Sequence, residues 1–205
     1  MKNESRINTK QLGLVDYLPA WQAMKDFTAS RTEATPDEIW LLQHPPVYTQ
    51  GIAGKPEHLL HNHGIAVVRT DRGGQITYHG PGQIVAYLLL DMRRLKIGVR
   101  ELVRKMEGTV IDLLQDYGVV AQGRTDAPGV YVDGAKIAAL GLKIKNGRCY
   151  HGLALNVDMD LIPFSAINPC GYAGLKVTQT KSLGISDTLE TLSDKLAEKL
   201  KARLL

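Results

Sequence analysis

The sequence predicts an α+β fold of mixed and antiparallel sheets with flanking helices, formed by one domain spanning residues 1–205. Two turn dipeptides, Asp133-Gly134 and Asn146-Gly147, each lie between β-rich runs, and they predict tight hairpins in a three-strand meander. Apolar side chains recur at helical spacing from Val99 to Tyr117 and again from Asp187 to Leu205. Hairpin-linked strands with segregated helices are typical of α+β domains, whereas doubly wound α/β sheets alternate the two.

The other elements follow from local patterns along the chain. Helical spacing of apolar residues predicts a first helix, which ends before Thr35-Pro36 because proline cannot continue it. The break at Gly80-Pro81-Gly82 predicts two strands instead of one long strand. Asp187 is the predicted N-cap of the last helix, with Glu190 three residues later. The segments are "PAWQAMKDFTASRTE" for the first helix, "EIWLLQ" and "IAVVRT" for strands, "HPPVYTQG" for a closing loop, and "QITYHGPGQIVAYLLLD" for the interrupted pair.

Length and composition predict a globular protein without a membrane or nucleic-acid role. Apolar residues make up 44% and charged residues 22% of the 205 residues, which is ordinary for a chain that buries a core. The longest apolar runs are too short to cross a bilayer, and the first residues, "MKNESRINTK", lack the apolar segment of a signal peptide. A cytoplasmic location is therefore predicted. The net charge of +4 is scattered, without the basic and aromatic clusters of a nucleic-acid binder.

Two cysteines, Cys149 and Cys170, are expected to be free thiols in a reducing cytoplasm. Cys170 lies in "INPCGYAGLKVTQ", between a proline and a glycine, among turn-forming residues. Such a loop either presents a reactive thiol or encloses a buried one, and both interpretations stay open because exposure and pKa decide thiol reactivity. A nucleophilic cysteine needs a partner that stabilises its thiolate, and the candidates are Lys136, His79 and His151.

Lys136 lies just after the Asp133-Gly134 turn, in "VDGAKIAALG", and precedes a run of small apolar residues. A lysine that loses hydration among such residues can serve as a base. The other interpretation is an exposed strand lysine, since most lysines are solvated.

Known cofactor and metal motifs are incomplete in this chain. "GPGQIV" lacks the third glycine and the following helix of a dinucleotide fingerprint, and "GIAGKP" lacks the spacing and hydroxyl residue of a phosphate loop. His58, His61 and His63 have no neighbouring cysteine and do not form an HExxH pattern, which favours surface histidines over a metal site. No cofactor and no metal are predicted.

Four ordered blocks of the chain carry a family resemblance: "RGGQITYHGPGQIVAYLLLD", "GVYVDGAKIAALGLKI", "YHGLALNVDMDLIPFSAINPCG" and "AGLKVT". Together they resemble the lipoyl(octanoyl) transferase family. The resemblance implies an acyltransferase that moves an octanoyl group from octanoyl-acyl carrier protein to a lysine amine of lipoyl domains, the first step of endogenous protein lipoylation. Implied acceptors include 2-oxoacid dehydrogenases and the glycine cleavage H protein. It also implies a fold like the catalytic domain of biotin and lipoate protein ligases.

The resemblance implies roles for single residues. Cys170 matches the cysteine that holds the acyl group as a thioester, and Lys136 matches the lysine that tunes it, a cysteine/lysine dyad. Cys149 stands where serine or threonine is expected, and it adds a second thiol that labelling must distinguish from Cys170. The residues expected to bind substrate lie in three blocks, with His151 added beside the third: Arg72, Gly73, Gly74, Gln75, Ile76, Thr77, Tyr78, His79, Ala139, Leu140, Gly141, His151, Gly152, Leu153 and Ala154.

These groups predict thioester exchange followed by amide formation, in which Lys136 first takes the Cys170 proton and later that of the acceptor amine. Three alternatives stay open. An ATP-dependent lipoate or biotin ligase shares the fold but needs no cysteine. A thiol hydrolase would pair Cys170 with His79 or His151, and a catalytically silent module would only bind its partner. Basic residues proposed to receive the acidic carrier protein are Arg69, Arg72, Lys143, Lys145 and Arg148.

Overall fold

Two sheets form the framework of the computed structural model, which describes residues 7–169, 172 and 174–205. The larger sheet contains β1 (Ile7–Leu14), β2 (Asp37–Gln43), β6 (Gln83–Asp91), β7 (Gln122–Gly123), β8 (Gly129–Val132), β9 (Ala135–Lys145) and β10 (Arg148–Asn156). The smaller sheet contains β3 (Val47–Gln50), β4 (Ala66–Arg69) and β5 (Ile76–His79). The α-helices are α1 (Tyr17–Ser30), α2 (Val99–Gln115) and α3 (Leu189–Leu204).

Strand pairing is mostly antiparallel. The larger sheet has the order β1-β2-β6-β10-β9-β8-β7, and in it β1 runs parallel to β2 while the other pairs are antiparallel. In the smaller sheet β3 is central, with β4 parallel and β5 antiparallel to it. Mixed and antiparallel sheets with flanking helices confirm the predicted α+β class.

Helices cover both faces of the larger sheet. The helices α2 and α3 pack together on one face, where Leu102, Met106 and Leu196 are completely removed from water. On the other face α1 packs through Met24 against a cluster that includes Trp40. Burying side chains of this size contributes roughly 1.5–3 kcal/mol each, so the framework below the site is rigid. No helix within the described ranges is long and apolar enough to cross a membrane.

Both predicted hairpin turns are confirmed. Asp133 and Gly134 have φ values of 48° and 78°, and Asn146 and Gly147 have φ values of 53° and 75°. Positive φ at both central residues is the type I′ geometry that matches the twist of the flanking strands. These turns join β8 to β9 and β9 to β10, and they fix the register of the strands that carry the candidate site.

Two local predictions were wrong, and one strand was missed. The "HPPVYTQG" segment contains strand β3 as well as a loop. Strand β1 was not predicted because most of its residues are exposed and four of the eight are polar. The N-cap of α3 is Thr188, whose Oγ1 accepts a hydrogen bond from the Thr191 backbone at 3.2 Å. Asp187 instead accepts hydrogen bonds from Tyr117 at 2.6 Å and Lys195 at 2.8 Å. The carboxylate therefore links Tyr117, in the turn after α2, to Lys195 in α3.

Candidate functional site

A groove of about 750 Å³, including the part open to solvent, lies where the smaller sheet meets β6, β9 and β10 of the larger one. Most residues predicted to act at the site line it. They are Arg72, Gly74, Gln75, Ile76, Thr77, His79, Lys136, Ala139, Leu140, Gly141, His151, Gly152, Leu153 and Ala154. The fold thus brings together blocks that are far apart in the sequence.

Two predicted substrate-binding residues lie elsewhere. The Tyr78 ring packs 5.5 Å from the ring centroids of Tyr48 and Phe164, in the core beneath the smaller sheet. The backbone nitrogen of Gly73 donates to the carbonyl of Leu142 at 2.9 Å, and Gly73 borders a neighbouring groove. Cys170 lies outside the described residues.

Lys136 is buried in the groove wall, with an exposed fraction of 4%. Its Nζ donates to the carbonyl oxygen of Pro128 at 3.2 Å and lies 5.2 Å from the centroid of the Tyr131 ring. The amine therefore lies between a hydrogen-bond acceptor and an aromatic face, away from bulk water. The alternative of an exposed strand lysine is therefore wrong.

The segment after Cys170 pairs with the Lys136 backbone. The Lys136 nitrogen donates to the carbonyl of Lys176 at 2.8 Å, and the Thr178 nitrogen donates to the carbonyl of Lys136 at 2.9 Å. Pro169 and Val177, on either side of Cys170 in the sequence, both line the same groove as Lys136. The described chain on both sides of the cysteine thus reaches the groove.

Arg72 holds the loop at the groove edge. Its guanidinium donates to the carbonyl oxygens of Thr49 at 2.5 Å, Gly73 at 3.0 Å and Gln75 at 2.9 Å. A planar fork with several donors suits this fixing of three carbonyls. The backbone of residues 73–75 is thereby positioned along the groove.

His79 is oriented by a directed chain of hydrogen bonds. Asn156 donates to the carbonyl of Thr178 at 3.0 Å, so its Oδ1 accepts from Gln83 Nε2 at 2.9 Å. Gln83 Oε1 must then accept from His79 Nδ1 at 2.7 Å. Burial, reinforced by repulsion between the protonated forms of His79 and His44, lowers the pKa of His79 to about 3. His79 is consequently a neutral imidazole whose Nε2 is an acceptor.

A second oriented histidine, His44, was missed by the sequence analysis. Because a carbonyl can only accept, His44 Nδ1 donates to Val15 at 2.6 Å, and His44 Nε2 accepts from the Tyr87 hydroxyl at 2.7 Å. Burial lowers the pKa of His44 to about 4. Tyr87 lines the groove floor, and so does Tyr17, whose pKa burial raises to about 12. A tyrosine within the apolar run "QIVAYLLLD" was the available signal for this polar floor.

His151 and Tyr150 both contact Asp71, although neighbouring strand residues normally point to opposite faces. His151 has a φ of 63°, and this left-handed backbone lets both side chains reach the same carboxylate. His151 Nε2 lies 3.2 Å from Asp71 Oδ1, Tyr150 donates to Oδ2, and Trp21 donates to Oδ1 at 3.0 Å. Burial raises the pKa of Asp71, but these hydrogen bonds outweigh it and hold the pKa well below its usual range. Burial lowers the pKa of His151, against the opposing effect of Asp71.

Gly152 allows close approach of β6 and β10 at the groove floor. A Cβ atom at Gly152 would lie 2.1 Å from the carbonyl oxygen of Ala86, closer than any side chain tolerates. The glycine is thus required for strand packing. It supports the groove from below whether or not substrate contacts it.

Cys149, the second thiol, is buried in the core behind the groove. Its Sγ donates to the carbonyl of Leu88 at 3.3 Å, and burial raises its pKa to about 12. Such a thiol is a poor nucleophile. Among residues 7–169, 172 and 174–205, no group of three or more His, Cys, Asp and Glu side chains could hold a metal ion.

Solved structures define the class of this fold. The chain resembles a bi-partite lipoate protein ligase from Thermoplasma acidophilum, with a TM-score of 0.75 at 15% identity over 97% of this chain and 84% of that chain. It also resembles the biotin protein ligase of Aquifex aeolicus, solved with biotin and ATP, with a TM-score of 0.63 at 12% identity over 96% of this chain and 70% of that chain. At these identities the likeness concerns the fold alone. It confirms the predicted resemblance to ligase catalytic domains.

Sequence comparison identifies the family within that class. The lipoyl protein ligase A/B catalytic domain matches residues 16–201, and the chain belongs to this family. The octanoyltransferase of Nitrosospira multiformis is 78% identical over 200 residues, which cover 98% of this chain and 93% of that relative. The resemblance read from four sequence blocks is confirmed.

Proposed function

We propose that the protein transfers an octanoyl group from octanoyl-acyl carrier protein to a lysine amine of lipoyl domains, through a thioester on Cys170. The main observation behind this proposal is that Lys136 is buried in a largely apolar groove. Pro169 and Val177, which precede and follow Cys170 in the sequence, line the same groove. The high identity to a protein named octanoyltransferase supports an acyltransferase. Both sheets contribute lining residues, which supports one catalytic domain over residues 1–205.

The groove provides a setting for a medium acyl chain. Apolar side chains form much of the wall, among them Ile76, Val85, Leu140, Leu153 and Phe164. Each buried methylene of the chain contributes about 0.8 kcal/mol. The oriented imidazole of His79 and the Tyr87 hydroxyl lie on the same lining, so polar atoms of the substrate find fixed partners.

The first step exchanges one thioester for another. Lys136 Nζ takes the proton of Cys170, and the thiolate attacks the octanoyl carbonyl. The bond from Cys170 sulfur to the carbonyl carbon forms, the bond to the carrier thiol breaks, and Lys136 returns the proton to the leaving thiolate. The carbonyl of Pro128 and the face of Tyr131 stabilise the ammonium form between these transfers. Similar basicity of the two thiols makes the exchange nearly thermoneutral.

The second step forms the amide. The neutral amine of the acceptor lysine attacks the thioester, its nitrogen bonds to the carbonyl carbon, and the bond to Cys170 sulfur breaks. Lys136 takes a proton from the attacking nitrogen and delivers it to the Cys170 thiolate, which restores the enzyme. His79 and His151 line the same groove and shape it for the substrates. The acceptors are lipoyl domains of 2-oxoacid dehydrogenases and the glycine cleavage H protein, in the cytoplasm.

Intact-mass spectrometry tests the proposal. The enzyme is mixed with octanoyl-carrier protein without ATP or magnesium, and an octanoyl adduct mapping to Cys170 is expected. Cys170→Ser should abolish the adduct, Cys149→Ser should keep it, and Lys136→Met should slow its formation. Addition of a lipoyl domain should move the octanoyl group to the acceptor lysine. A strict need for ATP would favour a ligase, and release of free octanoate to water would favour a hydrolase.

A further inference from the structure

A second groove adjoins the first on the other side of β9. It has a volume of about 960 Å³ including open space, and it lies between β9, the start of α2 and the loop before β8. Its lining is mostly apolar and includes Val99, Val103, Leu142 and Ile144. Val99 is 47% exposed and Tyr172 is 39% exposed, so the apolar surface is open to water.

The two grooves meet at the proposed catalytic lysine. Gly74, Gln75, Leu140 and Gly141 line both grooves. Lys136 lines the first groove, and its Nζ donates to the carbonyl of Pro128, a residue of the second groove. A substrate with a reacting centre at this junction could extend into both.

Two arginines adjoin the open side of the second groove. Val99 lines both that groove and a shallow depression formed with Gly98, Arg100, Glu101 and Arg104. Arg100 and Arg104 are exposed and make no ion pair within the described part of the chain. Like charges at i and i+4 on a helix repel each other. An anion between them would relieve that repulsion.

The acid group on the groove rim is already neutralised. Arg124 forms an ion pair with Asp126 at 2.5 Å, and its guanidinium lies 5.9 Å from the Tyr172 ring. The groove therefore presents apolar side chains toward the junction, and at its far side Arg100 and Arg104 outnumber Glu101, which leaves a net positive charge. From the junction outward, these surfaces match a ligand with a thioester at one end, a flexible chain in the middle and a phosphate at the other end.

We infer that the second groove binds the phosphopantetheine arm of the carrier-protein donor, with its phosphate at Arg100 and Arg104. This inference rests on the proposed function and deepens it. The octanoyl chain occupies the first groove, the arm lies across Gly74 and Leu140 in the second, and the thioester meets Lys136 at the junction. Arginine pairs recognise phosphate through charge-assisted hydrogen bonds.

Two small donors separate the phosphate from the rest of the carrier protein. Acyl-enzyme formation is followed by intact mass with octanoyl-phosphopantetheine and with octanoyl-pantetheine, which lacks the phosphate. Arg100→Glu/Arg104→Glu should lower kcat/KM at least tenfold with the first donor and less than twofold with the second. The matched control is Lys55→Glu/Lys181→Glu, which makes the same charge change at two other exposed sites that line neither groove and should alter neither rate. Equal effects on both donors, or none, would overturn the inference.

A second variant fills the groove without changing charge. Val99→Trp, at a half-exposed position, should slow acylation by both small donors at least tenfold and leave octanoyl transfer from preformed acyl-enzyme to a lipoyl domain unchanged. Slower transfer to the domain with normal acylation would mean that the groove receives the acceptor, which refutes the inference. If wild-type enzyme forms no adduct with any donor, the proposed function itself fails. If wild type reacts and all variants match it, only the groove assignment fails.

Discussion

The Lys136 amine is held by the residue that precedes β8, because Lys136 Nζ donates to the carbonyl oxygen of Pro128 at 3.2 Å. The following residue, Gly129, has a φ of 148° and no side chain. A Cβ atom there would lie 3.0 Å from Lys136 Cε, 3.2 Å from its Nζ and 2.8 Å from the carbonyl oxygen of Ala138. Space for the proposed base is therefore created by a glycine on the neighbouring strand.

Gly129→Ala should impair acylation without altering any residue assigned to chemistry. The new methyl group displaces the Lys136 side chain, and the strained φ destabilises the fold by about 1–3 kcal/mol. We expect single-turnover octanoyl adduct formation to fall at least tenfold at a temperature where far-UV circular dichroism shows the variant folded. Gly118→Ala is the control, because Gly118 also has a positive φ, 72°, but its Cβ would meet nothing within 4 Å. An unchanged acylation rate in Gly129→Ala would show that the position of Lys136 is unimportant.

Local chemistry decided which features the sequence could predict. Asn146-Gly147 specifies its own turn, and the break at residues 80–82 interrupts its own strand, so both were found. Strand β1 pairs in parallel with β2 across the whole of α1, and its polar side chains hide that pairing. The contact between His44 and Tyr87 joins residues 43 positions apart, and no spacing rule encodes it. The proposed site residues came from blocks of sequence, while the burial of Lys136 came only from the fold.

Protonation of His44 should make the protein less stable in acid. Its pKa is about 4 in the fold and 6.5 in the unfolded chain, so between these pH values only the unfolded chain binds the proton. The contribution of neutral His44 to the free energy of unfolding is complete above pH 6.5. It decreases as pH falls, by about 2 kcal/mol at pH 5. Urea unfolding at pH 8 and pH 5 should therefore show a smaller pH difference for His44→Gln than for wild type. His61→Gln, at an exposed histidine, should retain the wild-type difference.

Cys149 should be inert to thiol reagents in the native protein. With a pKa of about 12, only about one thiolate in ten thousand forms at pH 8, and the side chain is enclosed in the core. Iodoacetamide followed by peptide mapping should leave Cys149 unmodified in native protein and modify it after denaturation in guanidinium chloride. Rapid native labelling at Cys149 would mean that the core behind the groove opens readily.

Asp37, the first residue of β2, is the centre of a buried charge cluster. It accepts from Arg31 at 2.5 Å and pairs with Arg94 at 2.7 Å, and both Arg31 and Asp37 are almost completely removed from water. Asp37→Asn removes the negative charge and leaves the Arg31 guanidinium buried without its counterion, which should cost about 3–5 kcal/mol of the free energy of unfolding. Asp158→Asn, which breaks the exposed ion pair with Lys181, should cost less than about 1 kcal/mol. Urea denaturation of both variants at pH 7 measures the difference, and equal losses would contradict a structural role for the buried cluster.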